Sequence, residues 1–155
     1  MAKGTPATVA LEKAGITFKL HEYDYDPAAP RVGLQAAQAL GVAPARLLKT
    51  LMARAGDVAV CALIASDREL NLKRLAAAAG AKQAAMLTPA EAERITGYRV
   101  GGISPFGQRR RVPVFVGRAA LLQPTIIVNG GRRGLQIELA PVDLVNLLGA
   151  TAADL

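Results

Sequence analysis

Residues 97–111, Gly97-Tyr98-Arg99-Val100-Gly101-Gly102-Ile103-Ser104-Pro105-Phe106-Gly107-Gln108-Arg109-Arg110-Arg111, constrain the fold more than any other stretch. Four glycines and a proline in this run exclude a regular helix or a central strand. Glycine carries the largest backbone entropy cost, and proline has no N–H to give a ladder. A Gly-Gly step also lets backbone N–H groups approach a ligand closely, because no Cβ stands in the way. Three arginines follow at once, positive charge that does not titrate near neutral pH. A donor-rich loop beside a cationic stripe suits a large anionic partner.

The charge distribution points the same way. From Arg94 to Arg133 the chain holds eight arginines and no acid, and the remaining residues balance to within one charge. This one segment therefore supplies the whole net charge of +7. Such concentration predicts a polyanion partner and salt-dependent binding. The competing reading is a solvated face that only aids solubility. A length of 155 residues with 52% hydrophobic content predicts a single domain, 1–155, with a proper core. The one cysteine, Cys61, excludes an internal disulfide and fits a reducing cytosol. It lies in the apolar run Val58–Ile64, which predicts a buried structural thiol. The start lacks an apolar leader and no run approaches transmembrane length, so a cytoplasmic protein is expected.

Local signals divide the chain into short elements. Thr5-Pro6 opens a helix through Lys13. Thr17–Tyr23 alternates as a strand, Asp24–Arg31 is a Pro-containing loop, and Gly33–Leu40 is a short helix. Leu47–Arg54 and Val58–Ala65 read as a hairpin turning at Gly56-Asp57. Asn71 caps a helix to Ala79, and the Thr88-Pro89-Ala90-Glu91 capping box starts another that ends before Gly97. Strands near Val112–Val116, Pro124–Val128 and Leu135–Leu139 precede a last helix, Pro141–Leu148. Without strict βαβ alternation, the class is α+β.

Few residues can carry chemistry. The only histidine, His21, lies on the polar side of its strand and reads as ordinary surface. One Cys, one His and scattered acids make no metal site, and neither phosphate-loop nor dinucleotide glycine spacing is present, so no metal or cofactor is expected. Lys49 differs: alternation in Leu47–Met52 places it on one face with Leu47 and Leu51. An ammonium among leucines is costly without an anionic or carbonyl partner, so Lys49 either holds a substrate oxygen or snorkels to solvent. Thr50 points to the other face unless the strand bends. Asn129-Gly130-Gly131-Arg132-Arg133-Gly134 is a second glycine-rich turn that, with Arg109, Arg110 and Arg111, could complete a phosphate-binding surface. Asp24 and Asp26 could serve acid–base work, although turn-forming Asp beside Pro27 is commoner.

These signals meet in one pattern. His21-Glu22-Tyr23-Asp24-Tyr25-Asp26-Pro27, Leu48-Lys49-Thr50-Leu51, Leu70-Asn71-Leu72-Lys73, Thr96 through Gln108, and Gly130 through Leu135 with Ile137-Glu138-Leu139 stand in the order and spacing of a known family. The chain resembles the YbaK family of free-standing aminoacyl-tRNA deacylases, relatives of the editing domain inserted in bacterial prolyl-tRNA synthetases. The resemblance implies a compact α+β domain whose mixed sheet curves into a barrel-like core. It implies that Lys49 and backbone at Gly101 act at the aminoacyl ester. Tyr23, Val32, Thr50, Gly102, Ile103, Ser104, Asn129 and Gln136 would then form the substrate pocket, and Arg109–Arg111 with Arg132 and Arg133 would face tRNA. Cysteinyl-specific members need no protein nucleophile, because the substrate thiol attacks its own ester and leaves as a thiolactone.

Three positions depart from the cysteinyl-specific pattern: Val32 stands for Phe, Asn129 for Ser and Gln136 for Asp. The expected activity is clearance of mischarged tRNA, foremost Cys-tRNA(Pro), in company with prolyl-tRNA synthetase. The alternatives are deacylation of another residue (Ala, Ser or Thr) and a non-catalytic module that binds tRNA or a synthetase.

Overall fold

The computed structural model describes residues 4–26, 28 and 32–155, without the side chains of 32 and 33. Helix α1 (Pro6–Lys13) begins where the Thr5 hydroxyl accepts from Thr8 N–H (3.2 Å) and the Thr8 hydroxyl accepts from Thr5 N–H (2.8 Å). Pro6 occupies the first turn, where a missing N–H costs nothing. Strand β1 (Lys19–Glu22) and helix α2 (Val32–Leu40) follow. Strands β2 (Leu48–Ala55) and β3 (Val58–Ala65) form the expected hairpin, with Ala55 opposite Val58. Helix α3 (Leu72–Ala79) is capped by Asn71 and ends at left-handed Gly80. After β4 (Ala84–Met86), helix α4 (Pro89–Thr96) carries the Thr88–Glu91 capping box.

Residues 97–113 have no regular structure, as the glycines require, and lead into β5 (Val114–Gly117). The strand starts two residues later than the sequence suggests because Pro113 has no N–H, although its carbonyl still accepts from Cys61 N–H (2.9 Å). A 3-10 turn (Arg118–Leu122) precedes β6 (Ile126–Asn129), β7 (Leu135–Leu139), α5 (Pro141–Leu148) and β8 (Thr151–Ala153).

Two sheets result, which bears out the α+β class. One is antiparallel, ordered β1-β7-β6. The other is mixed, ordered β4-β2-β3-β5-β8, with β5 parallel to both β3 and β8. A parallel bridge between Leu47 and Ile127 joins them at the start of β2. The main core draws Leu63 from the mixed sheet, Ile126, Val128 and Ile137 from the other, and Leu11 and Leu144 from helices. Into this core the glycine loop inserts Phe106, which is only 1% exposed and contributes about 1.5–3 kcal/mol of burial. The loop is further held by Tyr98, whose hydroxyl donates to Phe106 O (2.6 Å), and by Arg109 N–H on Thr96 O (2.8 Å). Cys61 is fully buried, and burial pushes its thiol up to about 12, so it is structural as expected.

His21 is not an ordinary surface histidine. Its Nε2 lies 2.7 Å from Glu138 Oε1, while Glu138 Oε2 accepts from Arg46 (2.9 Å) and from the Thr125 hydroxyl. The network ties β1, β7, the residue before β6 and the approach to β2 together. The Thr125 hydrogen bond, followed by His21 and the Arg46 charge, holds the Glu138 carboxyl below the usual carboxylate range. A depressed carboxylate stabilises the fold above its unfolded pKa of about 4.3, and the contribution is lost as pH falls through the folded value. Glu138→Gln is therefore expected to cost about 1 kcal/mol at pH 7 and much less at pH 3. Urea unfolding at the two pH values checks this; an equal deficit at both would remove the electrostatic account.

Candidate functional site

β4 pairs with β2 at Ala53–Ala55 and Leu87 N–H adds a bond to Met52 O (3.1 Å), so the edge of β2 is left open on that side only before Met52. A cavity of about 410 Å³ wraps this stretch, closed by the turn after β3, by Val100–Ile103 and by the β6–β7 ladder. Lys49 and Thr50 both line it, although their neighbouring positions on a regular strand give them opposite faces. No bulge is needed, since the β2–β3 register runs unbroken from Leu48–Ala65 to Ala55–Val58. The cavity reaches round the strand instead.

Opposite β2, Asn129 and Gln136 are directly paired across β6 and β7, which puts both on one face. Both line the cavity, as do Gly101 and Ile103. Thr50 Oγ1 and Gln136 Oε1 are buried without a hydrogen-bond partner. A buried polar atom in that state costs about 1–3 kcal/mol, which a bound polar group would recover. Tyr23 stands just behind the wall. Burial raises its hydroxyl pKa, and the adjacent Gln136 amide partly offsets the rise. The Tyr23 hydroxyl is itself buried without a hydrogen-bond partner.

Gly101 adopts φ +91°, a conformation that L side chains rarely take. Gly102 faces the second glycine turn rather than the cavity. A Cβ there would lie 2.9 Å from Arg132 Cα and from Arg133 N, and its own N–H donates to Arg99 O (2.8 Å). The Gly-Gly step thus serves packing at Gly102 and the cavity at Gly101. Ser104 is fully buried away from the cavity, where its Oγ accepts from Phe106 N–H (3.2 Å). The Val32 side chain lies outside the described residues.

The five arginines divide into two groups. Arg109, Arg110 and Arg111 are exposed on backbone pinned to the end of α4. Arg132 pairs with Glu22 (3.0 Å), and Arg133 donates to Val100 O from two nitrogens (3.1 and 2.8 Å). The Arg133 guanidinium also sits 5.3 Å from the Tyr25 ring centroid.

The sequence reading missed Ser66, Asp67, Arg68 and Glu69, which form one side of the cavity. The signal was available in the hairpin register. With Ala65 opposite Leu48, the polar residues that follow β3 must emerge at the Leu47–Leu48 end of β2, next to Lys49. Ser66 Oγ is engaged with Pro44 O (3.1 Å), and no His or Cys lines the cavity among the described residues. Among the same residues no group of three or more His, Cys, Asp and Glu could hold a metal ion, and no helix is long and apolar enough to cross a membrane.

The cavity thus combines a lysine, a left-handed glycine and unpartnered amide and hydroxyl atoms. The family model for the aminoacyl-tRNA editing domain matches residues 27–147. The chain belongs to this family. A protein of Enterococcus faecalis named "Putative Cys-tRNA(Pro)/Cys-tRNA(Cys) deacylase EbsC" is 34% identical over 97% of this editing domain and 92% of its own length. A proline–tRNA ligase of Acidithiobacillus ferrooxidans is 32% identical over 72% of the chain, which spans 21% of that ligase. Among solved structures, a "putative trans-editing enzyme for prolyl tRNA synthetase" superposes with a TM-score of 0.85 at 27% identity, covering 99% of this chain and 98% of its own. The resemblance to YbaK-type editing proteins, and the α+β fold that it implied, are borne out.

Proposed function

We propose that this editing domain cleaves the ester of mischarged aminoacyl-tRNA, with Cys-tRNA(Pro) as its main substrate. The carrying observation is the convergence of Lys49, Thr50, Gly101, Asn129 and Gln136 on one cavity whose described wall holds no His or Cys. Such a site suits chemistry in which the substrate supplies the nucleophile. The cysteinyl sulfur attacks its own ester carbonyl, the C–S bond forms as the C–O bond to the tRNA ribose breaks, and the thiol proton passes to the departing oxygen. The thiolactone then hydrolyses in water. Lys49 and the Gly101 amide polarise the carbonyl and stabilise the oxygen that gains charge. The cavity walls hold the thiol in attacking position.

Exposed Arg109–Arg111 contact the tRNA backbone, which carries no sequence information by itself. Selection of tRNA(Pro) would come from prolyl-tRNA synthetase, a reading supported by the related segments within proline–tRNA ligases. One observation favours a second substrate class. The unpartnered Thr50 and Gln136 atoms offer hydrogen bonds that a seryl or threonyl hydroxyl would satisfy as well as a thiol.

A panel of Cys-, Ser-, Thr-, Ala- and Pro-tRNA decides between them. Cys-tRNA is expected to be cleaved at least about tenfold faster than Ser-tRNA, because only the thiol can form the thiolactone. Equal rates for Cys-, Ser- and Ala-tRNA would overturn the thiol mechanism, and no cleavage of any member would leave a binding module.

A further inference from the structure

We propose that Arg133 is a positioning residue for the ester, not a contact to tRNA: it fixes the Val100–Gly101 peptide so that the Gly101 N–H faces the cavity. The inference rests on the deacylase reading above and names the part of the chain that aims one of its two carbonyl-polarising groups.

The geometry begins with a fork. Two nitrogens of one guanidinium, Nε and a terminal nitrogen, donate to the single carbonyl oxygen of Val100 at 3.1 and 2.8 Å. The same guanidinium lies over the Tyr25 ring at 5.3 Å, so one plane is fixed from two directions. In a trans peptide the C=O and the following N–H point opposite ways. All described peptides are trans, so anchoring Val100 O on Arg133 turns the Gly101 N–H away from Arg133. Val100 and Gly101 both line the cavity while Arg133 does not, which leaves the cavity as the side that this N–H faces.

The next carbonyl is held from the same turn. Asn129 Nδ2 reaches Gly101 O at 3.4 Å, and Asn129 Oδ1 accepts from Gly131 N–H at 2.7 Å. Two successive peptide planes are therefore tied to the 129–134 turn. Gly101 is required for the arrangement twice over: its φ is +91°, and a Cβ would lie 2.8 Å from Arg133 Nε. A lysine cannot replace the fork, because a point ammonium neither donates in a fixed plane nor stacks on the tyrosine in the same way. It does keep the charge that a phosphate contact needs.

That difference supplies the test. Arg133→Lys and the triple Arg109/Arg110/Arg111→Ala variant are compared with wild type for kcat, KM and salt dependence on Cys-tRNA(Pro). The Gly101 amide is followed by NMR in the free protein. Arg133→Lys is expected to lower kcat about tenfold, with KM and the salt slope unchanged, and to shift the Gly101 amide while β3 amides stay in place. The triple variant should instead raise KM and flatten the salt slope by up to about three phosphate contacts. If Arg133→Lys keeps full kcat, or leaves the Gly101 amide unmoved, the positioning role is wrong. Wild-type protein inactive on every aminoacyl-tRNA would remove the deacylase reading, while the Gly101 amide would still decide whether Arg133 fixes the peptide.

Discussion

Replacing Lys49 with alanine is expected to lower deacylation by about 10²–10³-fold and to leave tRNA affinity within about twofold. Lys49 sits on β2, paired on one side by β3, so its backbone does not drift with the loops around it. Its side chain enters a wall shared with Leu47, Leu48 and Leu51, where a charge acts through less water than at an open surface. An ammonium there stabilises an oxygen that gains charge far more than it stabilises a neutral ester, which is a kcat effect. Affinity for tRNA should survive because the exposed Arg109–Arg111 lie on a different segment. Lys49→Met separates charge from packing, since it keeps an aliphatic stem without the ammonium. Both variants should lose activity alike, measured as single-turnover release of the amino acid with tRNA binding followed in parallel. Activity retained in Lys49→Met, or an affinity loss as large as the rate loss, would remove Lys49 from the ester.

Much of this site was legible in the amino-acid sequence alone, for a physical reason. A lysine within Leu47–Met52 and a Gly-Gly step beside an arginine run are each expensive or unusual without a partner, and such local conflicts mark function. Asn129 and Gln136 were legible only through the resemblance, because nothing local distinguishes a polar residue in a strand that lines a cavity from one that meets water. The opposite-face expectation for Thr50 holds, since the β2–β3 register is unbroken, yet Thr50 still lines the cavity because the cavity reaches round the open edge of β2. Ser66–Glu69 escaped because their position depends on the hairpin register, not on their own pattern. His21 was misread for a related reason. Its partner Glu138 is distant in sequence, and a single polar residue on a strand carries no sign of what lies across from it.

For the fold, caps and breakers were the reliable signals. Thr5-Pro6, Asn71 with Gly80, and Thr88-Pro89 with Gly97 bound three helices as expected. Each combines a local donor or acceptor with a fixed dihedral, so tertiary context has little to override. β4 and β8 were invisible, since three residues are too short to show a period and both exist through pairing to β2 and β5. How the two sheets meet at Leu47 and Ile127 is likewise a long-range fact.

Gly102→Ala is the second large effect, and it tests whether the two glycine-rich turns act as one unit. The obstacle is space. A Cβ at 102 would lie 2.9 Å from Arg132 Cα and Arg133 N, which are backbone atoms that cannot swing aside. The Val100–Ile103 wall must then move off the 129–134 turn, and the Asn129 and Arg133 bonds to Gly101 O and Val100 O go with it. A displacement of about 1 Å at a reacting centre costs about a hundredfold in rate, and overpacking of this kind costs about 1–3 kcal/mol in stability. Gly41→Ala supplies the contrast. Gly41 has φ +67° with nothing within 4 Å of where a Cβ would stand, so the alanine variant should lose only about 1–2 kcal/mol to left-handed strain and keep its activity. Thermal unfolding and single-turnover deacylation of the two variants therefore separate backbone strain from loop displacement. If Gly102→Ala melts and deacylates like wild type, the wall does not depend on its contact with the turn, and the close approach at Gly102 is incidental to the site.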